Sequence, residues 1–368
     1  MAVKRLLCII GSMNAGGAET FLMKLYRNLD KKKYQMDFVV AVQEKGYYDD
    51  EIIAMGGKIF HITPKSQGFF KNFSSIVRLV RNEKYKYVLR TSQHSLSALE
   101  LFAAQLGGAK VRIFRSSNSN TTTGSGKELI LHKICGFMPR VFANVKIAPS
   151  TEAAEFMYGK NCIKRKKAFL VHNAIDLNAY KYNPEKVDKI CREFNFENKF
   201  VVGHVGRLNQ QKNHKFLLEI FKKIKEKNTN AVLMLVGAGE LKNEIYNKIE
   251  EMGILDSVIF TGVRSDVPDL LSVMDVLVFP SLYEGMPNVI IEAQSIGLPC
   301  VISDTITKEA DITGVVKYLS LNDDPKIWAD IAIESVESEK RNTKDDFIKN
   351  KYDIQSVTDE FVFLCFEK

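Results

Sequence analysis

The run DVLVFPS at 275–281 passes directly into LYEGMPNVIIE at 282–292, and this stretch decides the fold. Its first part is an apolar run of a strand's length, and its last part has helical spacing of apolar residues that begins near Pro287. A strand, a glycine-containing turn and a helix make up half of a βαβ unit. The stretch therefore predicts a parallel sheet covered by helices.

Strand candidates of similar length recur on both sides of this stretch, with helical patterns between most of them. The alternation predicts an α/β protein with two doubly wound, Rossmann-like domains. Such sheets bind ligands beyond the carboxyl ends of their strands, so functional residues are expected just after the strands. The candidates lie at 5–11, 36–42, 58–63, 86–90, 111–115, 145–150 and 168–173, and at 200–206, 231–237, 257–262, 275–281 and 299–304.

The chain length of 368 residues also favours two domains. We place the first at 1–173, a polar linker at 174–198 and the second at 199–350. No stretch reaches the roughly 20 apolar residues of a membrane span. The six cysteines have no C-x-x-C spacing, which argues against a zinc site and a disulfide scaffold and favours a reducing cytosol.

Charge is divided unevenly along the chain. Residues 1–180 hold 28 Lys/Arg and 13 Asp/Glu, a net of +15, and residues 181–368 hold 24 and 31, a net of −7, which sum to +8. The basic half could face an anionic membrane, a pyrophosphate lipid or nucleic acid, or could be an ordinary solvated surface. No nucleic-acid fold signature accompanies the charge, so nucleic acid is not expected as a partner.

The strongest chemical signal is the pair of acids Glu284 and Glu292 in the deciding stretch. Free N–H groups at the start of a helix can hold a phosphate, and Gly285 permits close backbone approach. If the string is mostly helical, the two acids lie about 12 Å apart along the axis. That span suits a sugar at one end and a ribose at the other. The alternative is a surface glutamate followed by an ordinary core helix.

The second signal is GHVGRLNQQKNH at 203–214, which again follows a strand. Arg207 and Lys212 bracket a polar loop, where two cations can neutralise a diphosphate. A plain basic loop is the alternative. Because the sequence contains no Asp-x-Asp, the usual carboxylate pair for Mg²⁺ or Mn²⁺ is missing. These cations can stabilise a leaving group without a metal ion.

Three further features carry weaker signals. Gly16 and Gly17 open a helix after the first strand, either as a phosphate or sugar contact or as a tight turn. The run GAG at 237–239 imitates a dinucleotide fingerprint but lacks its third glycine, and we interpret it as a turn that opens a helix. His94 follows a strand and could contact a substrate or cap the next helix.

Together these motifs resemble glycosyltransferase family 4, the large retaining family with the GT-B fold. The resemblance is strongest over 200–305 and is most evident with bacterial members that build capsule, exopolysaccharide or O-antigen. It rests on the E-x7-E of Glu284 and Glu292, the G-R-L…K loop of Arg207 and Lys212, and the G-G-A-E at 16–19.

The resemblance implies a role for each matched residue. Arg207 and Lys212 would bind the donor diphosphate, Glu284 would contact the donor sugar, and Glu292 would contact the ribose. Glycines from both domains would approach the donor, Gly16 and Gly17 from the first. The remaining donor-binding residues implied are Gly206, Gly285, Met286, Pro287, Asn288 and Val289.

The resemblance also implies that the first domain binds the acceptor and that residues 351–368 form a helix that crosses back onto it. One departure matters, because many relatives carry a histidine in the segment that here reads FRSSN at 114–118. Ser116 and Ser117 occupy that place, so a histidine-based acceptor role there is in doubt. The acceptor-side candidates are therefore His94 and Asn118.

These inferences predict a hexosyltransferase or N-acetylhexosaminyltransferase that needs no metal and no cofactor besides its donor. The donor is a nucleotide-diphosphate sugar, UDP-linked in preference to GDP-linked. The acceptor is a saccharide or a polyprenyl-pyrophosphate-linked saccharide, used in cell-surface polysaccharide synthesis. The expected location is cytoplasmic, with weak peripheral binding to the anionic inner membrane face. The alternatives are a nucleotide-sugar epimerase, an NAD-dependent oxidoreductase and a silent sugar-binding protein.

Overall fold

The structure is a computed structural model that describes residues 3–14, 16–117, 132, 134–336 and 342–368. The chain divides into two compact units. The first comprises Met1–Ala174 and Lys351–Lys368, and the second comprises Ile175–Asn350. Each unit has a parallel sheet with a hydrophobic core on both faces, the architecture of the GT-B fold.

The first unit holds a seven-stranded sheet in the order β3-β2-β1-β4-β5-β6-β7. Its strands are β1 Lys4–Ile9, β2 Tyr34–Val40, β3 Ile59–His61, β4 Tyr87–Ser92, β5 Val111–Ser116, β6 Val145–Ala148 and β7 Phe169–Leu170. The described helices are α1 Gly17–Asn28, α2 Asp49–Ala54, α3 Phe69–Asn82, α4 Leu99–Leu106, α5 Met138–Phe142, α6 Thr151–Tyr158 and, later in the chain, α14 Ile354–Val362.

The second unit holds a six-stranded sheet in the order β10-β9-β8-β11-β12-β13. Its strands are β8 Phe200–Val205, β9 Ala231–Val236, β10 Val258–Gly262, β11 Val276–Phe279, β12 Cys300–Ser303 and β13 Val316–Leu319. Its helices are α7 Pro184–Phe194, α8 His214–Lys227, α9 Lys242–Glu251, α10 Val267–Val273, α11 Asn288–Ser295, α12 Pro325–Glu334 and α13 Lys344–Lys349.

Every strand expected from the sequence is present, and β13 is an edge strand that the sequence analysis missed. The expected linker at 174–198 also needs correction, because it contains α7 and all of it except Ala174 belongs to the second unit. Asn183 caps this helix by accepting a hydrogen bond from the Lys186 N–H, and Ile190 is buried in the core. The segment looks like a linker because most of its other helical residues are exposed.

Residues 351–368 pack within the first unit. Phe361 and Leu364 are buried in its core, and Lys4 Nζ donates to the Phe366 carbonyl oxygen at 2.9 Å. The Tyr34 hydroxyl lies 2.7 Å from Glu367 Oε1. All six cysteines are free thiols. None of the described helices is long and apolar enough to span a membrane.

Candidate functional site

In the second unit, the loops that follow β8 and β11 are joined at the carboxyl edge of the sheet. The Leu282 N–H donates to the Gln211 carbonyl oxygen at 2.8 Å, and Gln211 Nε2 donates to the Tyr283 carbonyl oxygen at 2.8 Å. β8 and β11 are neighbours in the sheet, so the two loops meet although they are far apart in sequence. This is the edge at which open α/β sheets bind ligands.

A cation and a carboxylate meet between these loops. Lys212 Nζ lies 2.6 Å from Glu284 Oε1, and the two side chains are only 14% and 10% exposed. The ammonium also lies 4.3 Å from the centroid of the Phe279 ring. Gly206 leaves room for the lysine, since a Cβ there would come within 2.8 Å of Lys212 Cε. Because both side chains are largely removed from water, the attraction between the ammonium and the carboxylate is stronger than it would be at the surface.

Arg207 belongs to the same loop and is exposed, so its guanidinium can reach a ligand at the surface. Residues 237–239 lie in the loop after β9, which supports the loop that carries Arg207. The Leu208 N–H donates to the Ala238 carbonyl oxygen at 3.0 Å, and the Leu241 N–H donates back to the Leu208 carbonyl oxygen at 3.0 Å. Residues 237–239 therefore hold Arg207 and its neighbours in place.

Only part of the stretch from Glu284 to Glu292 is helical, because α11 begins at Asn288 with Pro287 as its N-cap residue. Glu284 thus lies in the preceding loop, which corrects the expectation of a mostly helical string. Proline cannot donate a backbone hydrogen bond, and the first turn of a helix leaves N–H groups directed outward. Val289 and Pro287 are buried, whereas Gly285 and Met286 are half-buried.

Glu292 has a partner that sequence reasoning missed. The hydroxyl of Tyr180 hydrogen-bonds the Glu292 carboxylate, and burial together with this acid raises the pKa of Tyr180. The phenol therefore stays protonated and donates to the carboxylate. Tyr180 lies in the segment expected to be a linker and packs against the core of the second unit. Nothing in its local sequence indicates this contact.

Gln294 was also missed, although it follows Glu292 closely on α11. It is fully buried, and its Oε1 accepts from the N–H groups of Ile312 at 2.8 Å and Thr313 at 3.2 Å. Its Nε2 donates to the Ala310 carbonyl oxygen at 2.6 Å. A polar side chain inside an apolar helical run was the available signal. The glutamine fixes the helix that carries Glu292.

Two buried histidines lie beneath the β8 loop. The rings of His204 and His214 have centroids 4.9 Å apart, and His204 also stacks on Phe279 at 5.3 Å. Burial lowers the pKa of His204 well below its usual value and lowers the pKa of His214 to about 4. Both rings are neutral at pH 7, so Lys212 has no competing cation beneath it.

In the first unit, Gly16 precedes α1 and Gly17 is its first residue. A Cβ on Gly16 would lie 2.3 Å from Glu19 Oε2, so that carboxylate rests against the glycine. The start of α1 is therefore next to an acid, and the donor contact expected of Gly16 and Gly17 stays a prediction. The glycine is needed for this close approach.

His94 is half-buried and precedes a 3₁₀ turn at Ser95–Ala98. Its side chain does not cap that turn. Its Nε2 instead lies 3.2 Å from Gln93 Nε2, where the amide donates to the ring. Asn118, the other acceptor-side candidate, lies outside the described residues. Ser116 is fully buried at the end of β5.

No group of three or more His, Cys, Asp or Glu side chains with the spacing of a metal site occurs in the described part of the chain. The charges that the two loops of the second unit present are those of Arg207, Lys212 and Glu284. This set can bind an anion through the cations and a hydroxyl group through the carboxylate.

Comparison with known proteins identifies the family. The protein-family model described as Glycosyl transferases group 1 matches residues 199–338, which contain both loops. A putative glycosyltransferase of Bacillus subtilis, EpsF, is 35% identical over 336 residues, covering 89% of this chain and 86% of its own. The chain belongs to the group 1 glycosyltransferases. This membership favours a glycosyltransferase over the epimerase, oxidoreductase and silent-binding alternatives.

Two further proteins are similar to this chain, one in sequence and one in fold. The UDP-Gal:alpha-D-GlcNAc-diphosphoundecaprenol alpha-1,3-galactosyltransferase of Escherichia coli is 31% identical over 240 residues, 64% of this chain and 62% of its own. The structure of Anabaena Alr3699/HepE in complex with UDP has a TM-score of 0.78 at 18% identity, covering 98% of both chains, and so shares the fold. Two other similar glycosyltransferases are named for capsular polysaccharide and for amylovoran biosynthesis.

Proposed function

We propose that the protein is a retaining, metal-independent glycosyltransferase that moves a hexose or N-acetylhexosamine from a UDP-sugar to a saccharide acceptor. The observation that carries the proposal is the contact of Lys212 with Glu284 at the joined loops of the second unit. The cation suits a diphosphate, and the carboxylate suits a sugar hydroxyl. The two contacting side chains thus provide one group for the diphosphate and one group for the sugar of a nucleotide-sugar donor.

The proposed donor site uses groups from both loops and from α11. Arg207 and Lys212 bind the diphosphate, and the first N–H groups of α11 add donors of the same polarity. Glu284 accepts a hydrogen bond from the transferred sugar. Glu292, oriented by Tyr180, accepts hydrogen bonds from the ribose.

In the reaction, the bond between the anomeric carbon and the diphosphate oxygen breaks while the acceptor oxygen bonds to the same face of that carbon. The acceptor proton passes to the departing phosphate oxygen, so the products are a glycoside and UDP. Arg207 and Lys212 stabilise the charge that develops on the diphosphate. No protein nucleophile is required, and the site contributes mainly positioning and electrostatic stabilisation.

The proposed acceptor is a saccharide on polyprenyl pyrophosphate, at the cytoplasmic face of the membrane. Its support is the Escherichia coli relative, whose name specifies a diphosphoundecaprenol acceptor. The first unit adds a surface suited to lipid. Phe70 is 83% exposed and Phe69 is 40% exposed at the start of α3, next to the exposed Lys71. Exposed aromatics beside cations favour the membrane interface.

A panel of UDP- and GDP-sugars tests the proposal. Thermal shift identifies the nucleotide, and transfer to a synthetic diphospholipid-linked sugar is then followed by mass spectrometry. NMR of the product gives its anomeric configuration, which should match that of the donor. An inverted product would contradict retention. An epimerised nucleotide sugar formed without acceptor would contradict transfer itself.

A further inference from the structure

Tyr47 is an exposed aromatic residue at the carboxyl edge of the sheet of the first unit. Tyr47 is 69% exposed and lies in the loop between β2 and α2. β1 and β2 are neighbours, so this loop lies beside the loop that follows β1. Ligands of open α/β sheets bind at this edge. The exposed ring at this edge is therefore available to contact a ligand.

The backbone around Tyr47 is held firmly by the loop after β1. The Tyr47 N–H donates to Asn14 Oδ1 at 3.3 Å, and the Tyr48 N–H donates to the Met13 carbonyl oxygen at 3.0 Å. The Gly46 N–H donates to Asp49 Oδ2 at 2.8 Å. The N–H groups of Gly46, Tyr47 and Tyr48 are thus all hydrogen-bonded, so the backbone that carries the exposed ring is well fixed.

The ring of Tyr48, which contacts the Tyr47 ring, is also held in place. Tyr47 and Tyr48 make an edge-to-face contact, with centroids 4.9 Å apart and an interplanar angle of 83°. The Tyr48 hydroxyl lies 3.0 Å from Thr20 Oγ1, and Tyr48 itself is only 7% exposed. The contact supports Tyr47 from one side and leaves much of the ring open. Such pre-organisation reduces the entropy lost when a ligand binds.

The cations of Lys45 and Arg27 near this ring are paired with carboxylates, and Asp49, which accepts from the Gly46 N–H, adds a further negative charge. Lys45 lies 2.7 Å from Asp50, and Arg27 lies 2.6 Å from Glu51. The neighbouring exposed polar side chain is the neutral amide of Asn14. A neutral ligand with an apolar face and peripheral hydroxyl groups fits these surroundings better than a diphosphate does.

We propose that the Tyr47 ring is a stacking platform for a neutral pyranose ring of the acceptor. The C–H groups on one face of a pyranose carry partial positive charge, which the negative face of an aromatic ring attracts. The Asn14 amide provides a hydrogen-bond partner for a hydroxyl group at the rim. The inference rests on the proposed function, which requires a second substrate besides the UDP-sugar held by the second unit.

NMR of the full chain carrying ¹³C-labelled tyrosine rings tests this platform. The probes are the methyl α- and β-glycosides of glucose, galactose and N-acetylglucosamine. The Tyr47 signal is assigned by its absence in Tyr47→Phe. We expect at least one glycoside to shift that signal. Its affinity is measured in every variant by saturation-transfer NMR of the glycoside itself, and we expect it to fall roughly tenfold in Tyr47→Ala. Tyr47→Phe should bind like the unaltered protein, because the ring face provides the contact.

Two controls keep the result specific. Tyr246→Ala removes another exposed tyrosine, on α9, and should leave glycoside affinity unchanged. UDP binding is measured in the same samples, so its absence in every sample would contradict the proposed donor rather than the platform. The platform is overturned if no glycoside shifts the Tyr47 signal, if Tyr47→Ala binds normally, or if Tyr47→Phe loses as much affinity as Tyr47→Ala.

Discussion

Lys212 Nζ and Glu284 Oε1 lie 2.6 Å apart although 72 residues separate them in the chain. The pair is nearly buried, so each charge is compensated by the other. A diphosphate that bound Lys212 would take over that compensation and free Glu284 to accept a hydrogen bond from the sugar. The contact therefore couples the two functions proposed for these residues.

Replacing the lysine should weaken nucleotide binding. Lys212→Met removes a cation from a desolvated site and leaves Glu284 without its partner. We expect UDP affinity to fall by about 2–4 kcal/mol, measured by calorimetry, and the free energy of unfolding to fall by about 3 kcal/mol. Lys215→Met, on the exposed face of α8, is the matched control and should change neither value. Equal UDP affinity in the two variants would remove Lys212 from the donor site.

Arg207 should act chiefly in the transition state, without help from a metal ion. Arg207→Met leaves the developing diphosphate charge partly uncompensated, and we expect kcat/KM to fall by the equivalent of about 2–4 kcal/mol. Transfer in EDTA should equal transfer in buffer with Mn²⁺. Activity that disappears with EDTA and returns with Mn²⁺ would show that the account of leaving-group stabilisation is wrong.

The two glutamates should differ in kinetic effect. Glu284→Ala should mainly lower kcat because this residue is proposed to contact the transferred sugar, whereas Glu292→Ala should mainly raise the donor KM. Tyr180→Phe keeps the ring but removes the hydroxyl that orients Glu292, so it should raise the donor KM several-fold with little change in kcat. Tyr182→Phe, at an exposed position nearby, is the control. Small, equal effects of both alanine variants would indicate that the two acids are only structural.

Stability should fall in mild acid because of the histidine pair. Burial lowers the pKa of both His204 and His214, so the unfolded chain binds protons below about pH 6.5 while the folded chain does not. We expect each histidine to lower the free energy of unfolding by about 1.4 kcal/mol for each pH unit from pH 6.5 down to its own lowered pKa. Urea titrations between pH 5 and 7.5 measure this slope. His214→Phe should show a shallower slope, and an unchanged slope would contradict the assignment.

Membrane association should depend on aromatic side chains and salt. Phe69→Ser with Phe70→Ser removes the exposed rings of α3, and we expect less co-sedimentation with anionic vesicles at low salt. Phe363→Ser, at another position of the first unit that is 55% exposed, should bind as before. High salt should release the unaltered protein, since each well-placed cation adds about 1 kcal/mol on anionic lipid. Equal recovery with neutral and anionic vesicles at low salt would contradict the proposal.

Local pattern alone was enough to predict most of the strands and the two parallel sheets. The runs at 200–206 and 275–281 are apolar because a strand covered on both faces needs apolar side chains throughout. β13 was missed because Val316–Leu319 is a short edge strand with an exposed Lys317, so it lacks that uniform run. The helix at Pro184–Phe194 was missed for a related reason, since only Ile190 is fully buried.

The sequence by itself determined which residue types follow which strands, and so it indicated Arg207, Lys212, Glu284 and Glu292. Only the tertiary structure decided that Lys212 pairs with Glu284, that Tyr180 holds Glu292, and that Tyr47 stays exposed on an ordered loop. The periodicity of apolar residues indicates which side of a strand or helix faces the core, and this depends only on that strand or helix. Contacts between loops depend on strand order and on desolvation, which arise only when distant segments pack together.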